Sequence, residues 1–251
     1  MAGWGLDYET AEISLIGDRA QNQDRVAIAR RDQSVILLVV DGMGGHAEGE
    51  LAAQVAMDSL LRSFAEISNE LENPAQYLTD SVERAHDEVA SLGAELALQD
   101  KPRATCAVCL VVGSTAWWSH VGDSRVYLLR DGQIVDRTRD HSHVEVLLRE
   151  GVITEDEVHG HPMRHYVECC LGGESALPDL SSPGSFELES GDVLLACSDG
   201  LWAGVPDEQI GQGSGNEALD AWLHRLSENA VAACAPHSDN TTAAVVRVVD
   251  Q

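Results

Sequence analysis

Apolar residues in this chain fall into short unbroken runs separated by polar turns, and Val35–Val40 is the longest uninterrupted aliphatic run. Brief runs rich in Val and Ile predict strands rather than helices. Comparable stretches predict strands at Ile13–Ile16, Val26–Ala29, Ala104–Val112, Thr115–Val121, Val126–Leu129, Ile134–Arg137, Val193–Cys197 and Thr241–Val249. Asp131-Gly132 lies between two of these and predicts a two-residue hairpin turn. A helical period takes over in three places. Ala52, Val55, Ala56, Leu60 and Phe64 form one apolar stripe. Leu78, Val82, Ala85, Val89, Leu92 and Leu96 form a second, opened by Asn73 as cap, Pro74 in the first turn and Gln76 at the capping-box position. A third helix around Glu217–Ala233 carries Leu219, Trp222, Leu223, Leu226 and Ala230 on one side. Two long helices adjacent in sequence, followed by strands in hairpin-like succession, predict an α+β fold with antiparallel sheets rather than a doubly wound one. No repeat, low-complexity tract or Pro/Ser-rich linker divides residues 1–251, which predicts a single domain.

Charge narrows the function. Sixteen Lys and Arg face 42 Asp and Glu, for a formal net charge of −26, and Lys101 is the sole lysine. So negative a surface repels phosphate backbones and anionic lipid, so neither nucleic acid nor a membrane is an expected partner. The longest aliphatic run is far short of the roughly 20 residues a membrane-spanning helix needs. Met1–Asp7 has neither a basic region nor an apolar core, so it is no secretory signal, and a cytoplasmic location is expected. Most of the acidic excess reads as solubility; some of it reads as a place for divalent cations, which would also let an acidic protein handle an anionic substrate.

Cys106 and Cys109 form a CxxC, but within a predicted strand residues three apart point to opposite faces and cannot share a metal. These two, with Cys169, Cys170, Cys197 and Cys234, read as structural. His141, His143, His159, His161 and His165 lie close together near Cys169-Cys170 and, taken alone, could make a zinc site. Against this, His159-Gly-His-Pro162 reads as a loop, with no strand to fix HxH geometry. Gly211-Gln-Gly-Ser-Gly215 follows no strong strand and has no nearby lysine, so it reads as a connection rather than a phosphate loop.

The aspartates carry more chemistry. Asp41 ends the run Val35–Val40 and precedes Gly42. Asp123 follows the run ending at Gly122. Asp199 ends Val193–Ser198 and precedes Gly200, and Asp239-Asn240 comes just before the last strand. Four carboxylates at strand ends can be pointed into one cleft by a rigid sheet. Hard cations such as Mg²⁺ or Mn²⁺ take oxygen ligands of this kind, and a cation relieves the repulsion among them. The alternative for any one Asp-Gly is a turn, as at Asp131-Gly132.

Eight blocks, in order, carry a resemblance to a known family: Gly17-Asp-Arg-Ala-Gln-Asn-Gln-Asp24, Val39-Val-Asp-Gly-Met-Gly-Gly-His46, Gly122-Asp-Ser-Arg125, Asp140-His-Ser142, Gly151-Val-Ile-Thr154, His161-Pro162, Cys197-Ser-Asp-Gly200 and Ser238-Asp-Asn-Thr241. Together they resemble the metal-dependent serine/threonine protein phosphatases of the protein phosphatase 2C type, in their compact bacterial form. The resemblance implies a four-layer αββα sandwich of two antiparallel sheets flanked by helices, with a flap segment around 140–176. It implies two Mn²⁺ or Mg²⁺ ions and a third, more weakly held one. Asp41 is implied to bridge two ions, with the Gly42 carbonyl on one; Asp199 and Asp239 complete the other, and Asp123 shares the third with Asp199. Asp24 is implied to orient the attacking water, Arg19 to clamp the substrate phosphate, and Asn240 to stand beside the metal ligands.

Two positions depart from common family patterns. Gln23 stands where many relatives have Glu, which brings an amide oxygen without its charge and implies a weaker metal site. Met43 stands where some members have a histidine, leaving His46 as the candidate proton donor to the leaving group, or else a supporting hydrogen bonder at a helix start. The expected activity is hydrolysis of phosphoserine and phosphothreonine on proteins, reversing a bacterial Ser/Thr kinase. That kinase or its substrates would be partners of a monomer with no anchor or sensor segment. The rival readings are a catalytically weak phosphoprotein-binding module of the same fold and a different metallohydrolase built on the histidines.

Overall fold

The computed structural model of the chain describes residues 6–43, 47–67, 71–97, 100–158, 160–173, 177, 180, 185–215 and 217–250. Its strands are β1 (Leu6–Leu15), β2 (Arg25–Arg31), β3 (Ser34–Val40), β4 (Gly42–Met43), β5 (Arg103–Ala104), β6 (Cys106–Val112), β7 (Thr115–Val121), β8 (Arg125–Arg130), β9 (Gln133–Arg137), β10 (Phe186–Glu187), β11 (Val193–Cys197) and β12 (Thr241–Asp250). Two five-stranded antiparallel sheets result, ordered β1-β12-β11-β8-β9 and β10-β7-β6-β3-β2, and β4 pairs with β5 apart from them. The helices are α1 (Ala47–Ala65), α2 (Pro74–Leu92), α3 (His143–Arg149), α4 (Glu155–Val158), α5 (Asp199–Trp202), α6 (Asp207–Gly211) and α7 (Leu219–Cys234).

Unbroken apolar runs are explained by burial on both faces. In β3, Val35, Leu37 and Val39 pack into the space between the sheets, while Ile36, Leu38 and Val40 pack outward under α1 and α2. β6 divides the same way, with Cys106 facing the helices and Cys109 facing the other sheet, so the two sulfurs lie on opposite faces. Burial pushes both thiols upward, Cys106 to about 12, as expected of inert sulfur. In β12, Ala244, Val246 and Val248 face the inter-sheet core, while Ala243 and Val245 pack under α5 and α7 with Leu201, Trp222, Leu223 and Leu226. Helices, sheet, sheet and helices are therefore four successive layers with an apolar core in each gap.

The hairpin is where the sequence placed it: Arg130 pairs with Gln133, and both Asp131 and Gly132 take positive φ. Asn73 caps α2 by accepting a hydrogen bond from the Gln76 N–H at 3.2 Å, but the reciprocal half of a capping box is absent. The Gln76 amide instead donates along the helix to Asp80, at 2.7 Å. The α2 stripe also stops earlier than the periodicity suggests, because the helix ends at Leu92 with Gly93 as its cap, leaving Leu96 exposed. Residues 211–215 are a connection, tied down by Arg247, whose guanidinium donates to Ser214 Oγ at 3.0 Å and to the Gly215 carbonyl at 3.4 Å. No described helix is long and apolar enough to cross a membrane.

Candidate metal centre

Asp41 follows β3 and Asp199 opens α5 directly after β11, so each sits where a central, fully buried strand ends. Asp24 precedes β2, Asp123 lies between β7 and β8, and Asp239 lies just before β12. Asp24 and Asp123 are buried, each 4% exposed, while Asp41, Asp199 and Asp239 keep partial exposure. Burial first, and then the neighbouring charges of Asp24, Asp199, Asp123 and Asp239, raise Asp41 well above the ordinary carboxylate value. Burial followed by Asp123, Asp239 and Asp24 does the same to Asp199. Asp24 rises to about 6 through burial, opposed by hydroxyl hydrogen bonds from Thr242 and Ser198. Asp123 also rises to about 6, again through burial first. Burial thus raises Asp24, Asp41, Asp123 and Asp199 together, and the negative charge of Asp239 adds to the rise of each.

Two close approaches hold the loops together. A Cβ on Gly200 would meet the Asn240 carbonyl oxygen at 2.1 Å, so only glycine lets the Asp199 turn touch the Asp239-Asn240 turn. A Cβ on Gly42 would meet the Gly49 carbonyl oxygen at 2.1 Å, so α1 packs its first turn directly on the backbone after Asp41. Asn240 ties down the segment bearing Arg19 and Asp24: its side chain accepts from the Gln23 N–H at 2.9 Å and donates to the Ile16 and Gln21 carbonyls at 2.9 and 3.0 Å. Asp18 clasps Ser238 on the same seam, accepting from its N–H at 3.0 Å and its hydroxyl at 2.8 Å. Arg19 is partly exposed and donates to Asp239 at 2.6 Å. His46 lies outside the described residues.

Among the described residues, no three Asp, Glu, His or Cys side chains converge into a finished cage. Carboxylates that repel one another stand apart without a counter-charge. The donor set nevertheless fits hard divalent cations. It consists of carboxylate oxygens with the adjoining Gly42 carbonyl, contains no sulfur or imidazole, and carries more negative charge than its cationic neighbours Arg19 and Arg125 offset.

The described histidines do not assemble a second centre. His141 stacks on His120 with ring centroids 4.3 Å apart, and His143 Nδ1 lies 2.8 Å from Glu168. His161 Nδ1 accepts from the Met163 N–H at 3.2 Å, and His165 Nε2 accepts from Arg164 at 2.7 Å. His159 lies outside the described residues. The segment they occupy is anchored at both ends, by the His141 N–H on the Gly122 carbonyl at 2.8 Å and by reciprocal bonds between Leu171 and Ala104 at 2.8 and 3.2 Å.

Several contributors were not singled out from sequence. Ser198 donates to Asp24 at 2.8 Å and accepts from the Thr242 N–H at 3.1 Å. Arg125 is held by Asp140 through two bonds of 2.7 and 2.8 Å, and its guanidinium carbon lies 3.7 Å from the ring centre of Trp202. The available signal was a lone arginine opening an otherwise apolar strand, Arg125-Val-Tyr-Leu-Leu129.

A family model described as Protein phosphatase 2C matches residues 14–235. Serine/threonine protein phosphatase PstP of Mycobacterium tuberculosis is 35% identical over 233 residues, covering 92% of this chain and 43% of that protein. Protein phosphatase PhpP of Streptococcus pneumoniae is 32% identical over 206 residues, covering 79% of this chain and 82% of that protein. This chain therefore spans less than half the length of the mycobacterial relative. Among solved structures, the catalytic domain of PstP in complex with two manganese ions superposes with a TM-score of 0.82 at 32% identity, covering 98% of this chain and all of that one (100%). The Streptococcus agalactiae serine/threonine phosphatase superposes with a TM-score of 0.87 at 28% identity, covering 97% and 100%.

Proposed function

Because this chain belongs to the protein phosphatase 2C family, we propose that it is a metal-dependent protein phosphatase that hydrolyses phosphoserine and phosphothreonine. The observation that carries this reading is the set of strand-end aspartates whose charges raise one another, an arrangement costly to keep without a cation. Asp41, the Gly42 carbonyl, Asp199 and Asp239 hold two ions, Mn²⁺ or Mg²⁺, and Asp123 with Asp199 holds a third more weakly. Divalent cations, when bound, supply positive charge against phosphoryl oxygens and make water more acidic. Asp24 accepts a hydrogen bond from the attacking water and orients it, with Ser198 fixing the carboxylate. Arg19 swings from Asp239 to the substrate phosphate, where its planar fork spans two oxygens. His46 gives a proton to the departing Ser or Thr oxygen. Gln23 and Asn240 support the shell, and the described residues of the 140–176 segment serve as a flap within a single domain. The partners are phosphorylated proteins of a bacterial Ser/Thr kinase, met in the cytoplasm by a monomer.

The test is turnover of a phosphothreonine peptide by protein stripped with EDTA and then given Mn²⁺. Turnover that appears only with metal, with KM raised about tenfold in Arg19→Ala, is the expected result. Retained binding of the phosphopeptide without hydrolysis under any metal would overturn the proposal in favour of a phosphoprotein-binding module.

A further inference from the structure

Asp123 sits on a short connection, Gly122–Ser124, that is gripped from three sides. The Gly122 carbonyl accepts from the His141 N–H at 2.8 Å, and the Gly122 N–H donates to His141 Nδ1 at 3.2 Å. Ser124 Oγ lies 2.6 Å from the hydroxyl of buried Thr105, whose own N–H donates to the Asp41 carbonyl at 2.8 Å. The third grip comes from Trp202, whose indole N–H donates to the Asp123 carbonyl at 2.9 Å. Trp202 is the last residue of α5, the single helical turn that Asp199 opens. One rigid ring therefore spans the distance from the Asp199 turn to the Asp123 backbone.

The same ring covers a buried cation. Arg125, two residues after Asp123, has an 11% exposed side chain held by an Asp140 side chain that is 7% exposed. It also donates to the Tyr127 hydroxyl at 3.1 Å, and its guanidinium lies against the Trp202 face. Buried ion pairs contribute little net stability, because desolvation cancels most of the attraction. Their better-supported use is to fix geometry, and here the geometry fixed is that of the Asp123 connection.

We propose that Trp202 is a positioning residue that sets Asp123 against Asp199, by holding the Asp123 carbonyl through its N–H and lying over the Arg125–Asp140 pair. The two carboxylates, which repel each other, are thereby kept at the separation that a shared divalent cation closes. This inference rests on the metal-dependent reading given above. It assigns Trp202 no contact with substrate or with the reacting atoms.

Calorimetric titration of Mn²⁺ into the EDTA-stripped full chain separates the inference from the reading beneath it. Asp123→Ala identifies the binding step that belongs to Asp123. Trp202→Phe keeps an aromatic face over Arg125 but removes the N–H, and it is expected to weaken that same step about tenfold while leaving the tighter steps alone. Asp140→Asn, which loosens Arg125, should shift the same step in the same direction. In metal-free protein the Trp202 indole proton, assigned by its loss in Trp202→Phe, should exchange slowly with solvent. An unchanged titration in a folded Trp202→Phe protein would overturn the inference while leaving the metal reading intact, as would rapid exchange of that proton. An Asp123→Ala titration identical to that of the unaltered chain, by contrast, would remove the reading on which the inference stands.

Discussion

At Asp24 two opposing influences meet. Burial raises the carboxyl, and the hydroxyls of Thr242 and Ser198 stabilise its anion, leaving it at about 6. Ser198→Ala removes one of those donors, so Asp24 rises further and the acid limb of kcat/KM moves to higher pH; a pH–rate profile reads this directly. The same residues set the stability of the metal-free protein. Asp24 and Asp123 stand at about 6 against an ordinary value of 3.8, so between those values the folded chain binds more protons than the unfolded one. Their contribution is therefore most favourable below 3.8, falls as pH rises through that window, and is lost above about 6. The melting temperature of EDTA-stripped protein should accordingly rise as pH is lowered from about 7 to about 5. With Mn²⁺ bound the trend reverses, because protons then compete with the cation for the same oxygens. Candidate ligands were legible in sequence because Asp41, Asp123 and Asp199 each come at the close of a strand-like run and Asp239 stands just before one. The Arg125–Asp140–Trp202 brace was not, because its three members come from separate segments and only the fold makes them neighbours.

Among the elements, the long helices and central strands were readable because burial imposes a regular pattern on each. β3 and β6 are apolar throughout since both faces are covered, and α1, α2 and α7 show single stripes since one face is. α3 to α6 are each a turn or two long, too short for a 3.6-residue period to declare itself, and β10 has two residues. The single Asn73 cap bond on α2 stands far from the aspartates in sequence and function. Asn73→Ala should cost about 1 kcal/mol of stability in denaturant unfolding without changing the metal dependence of turnover. In the anchored segment between His141 and Leu171, the described imidazoles are each engaged by a separate partner. A His161→Ala, His165→Ala double variant should keep most of its activity; complete loss would revive the histidine-based metallohydrolase.

For the whole molecule, a net charge of −26 and a cluster of mutually repelling carboxylates act in the same direction. Both penalise the compact state until cations are bound. Mn²⁺ should therefore raise the melting temperature in proportion to the logarithm of its concentration once above Kd, an effect EDTA abolishes. The four-layer sandwich supplies the rigidity that makes such a site possible, since its central strands deliver Asp41 and Asp199 from opposite sheets to one place. The chain's two-sheet architecture was legible only through the family resemblance; composition and periodicity reached no further than antiparallel α+β.

The most direct measurement compares the unaltered chain with Asp41→Asn and Asp199→Asn, each assayed for equilibrium Mn²⁺ binding and for phosphothreonine-peptide turnover in the same buffer. Asn keeps the side chain's size and removes its charge. The account predicts that both variants stay folded, bind Mn²⁺ at least tenfold more weakly, on the order expected for losing a charged ligand, and lose nearly all turnover. Full turnover in either variant with metal binding unchanged would contradict it.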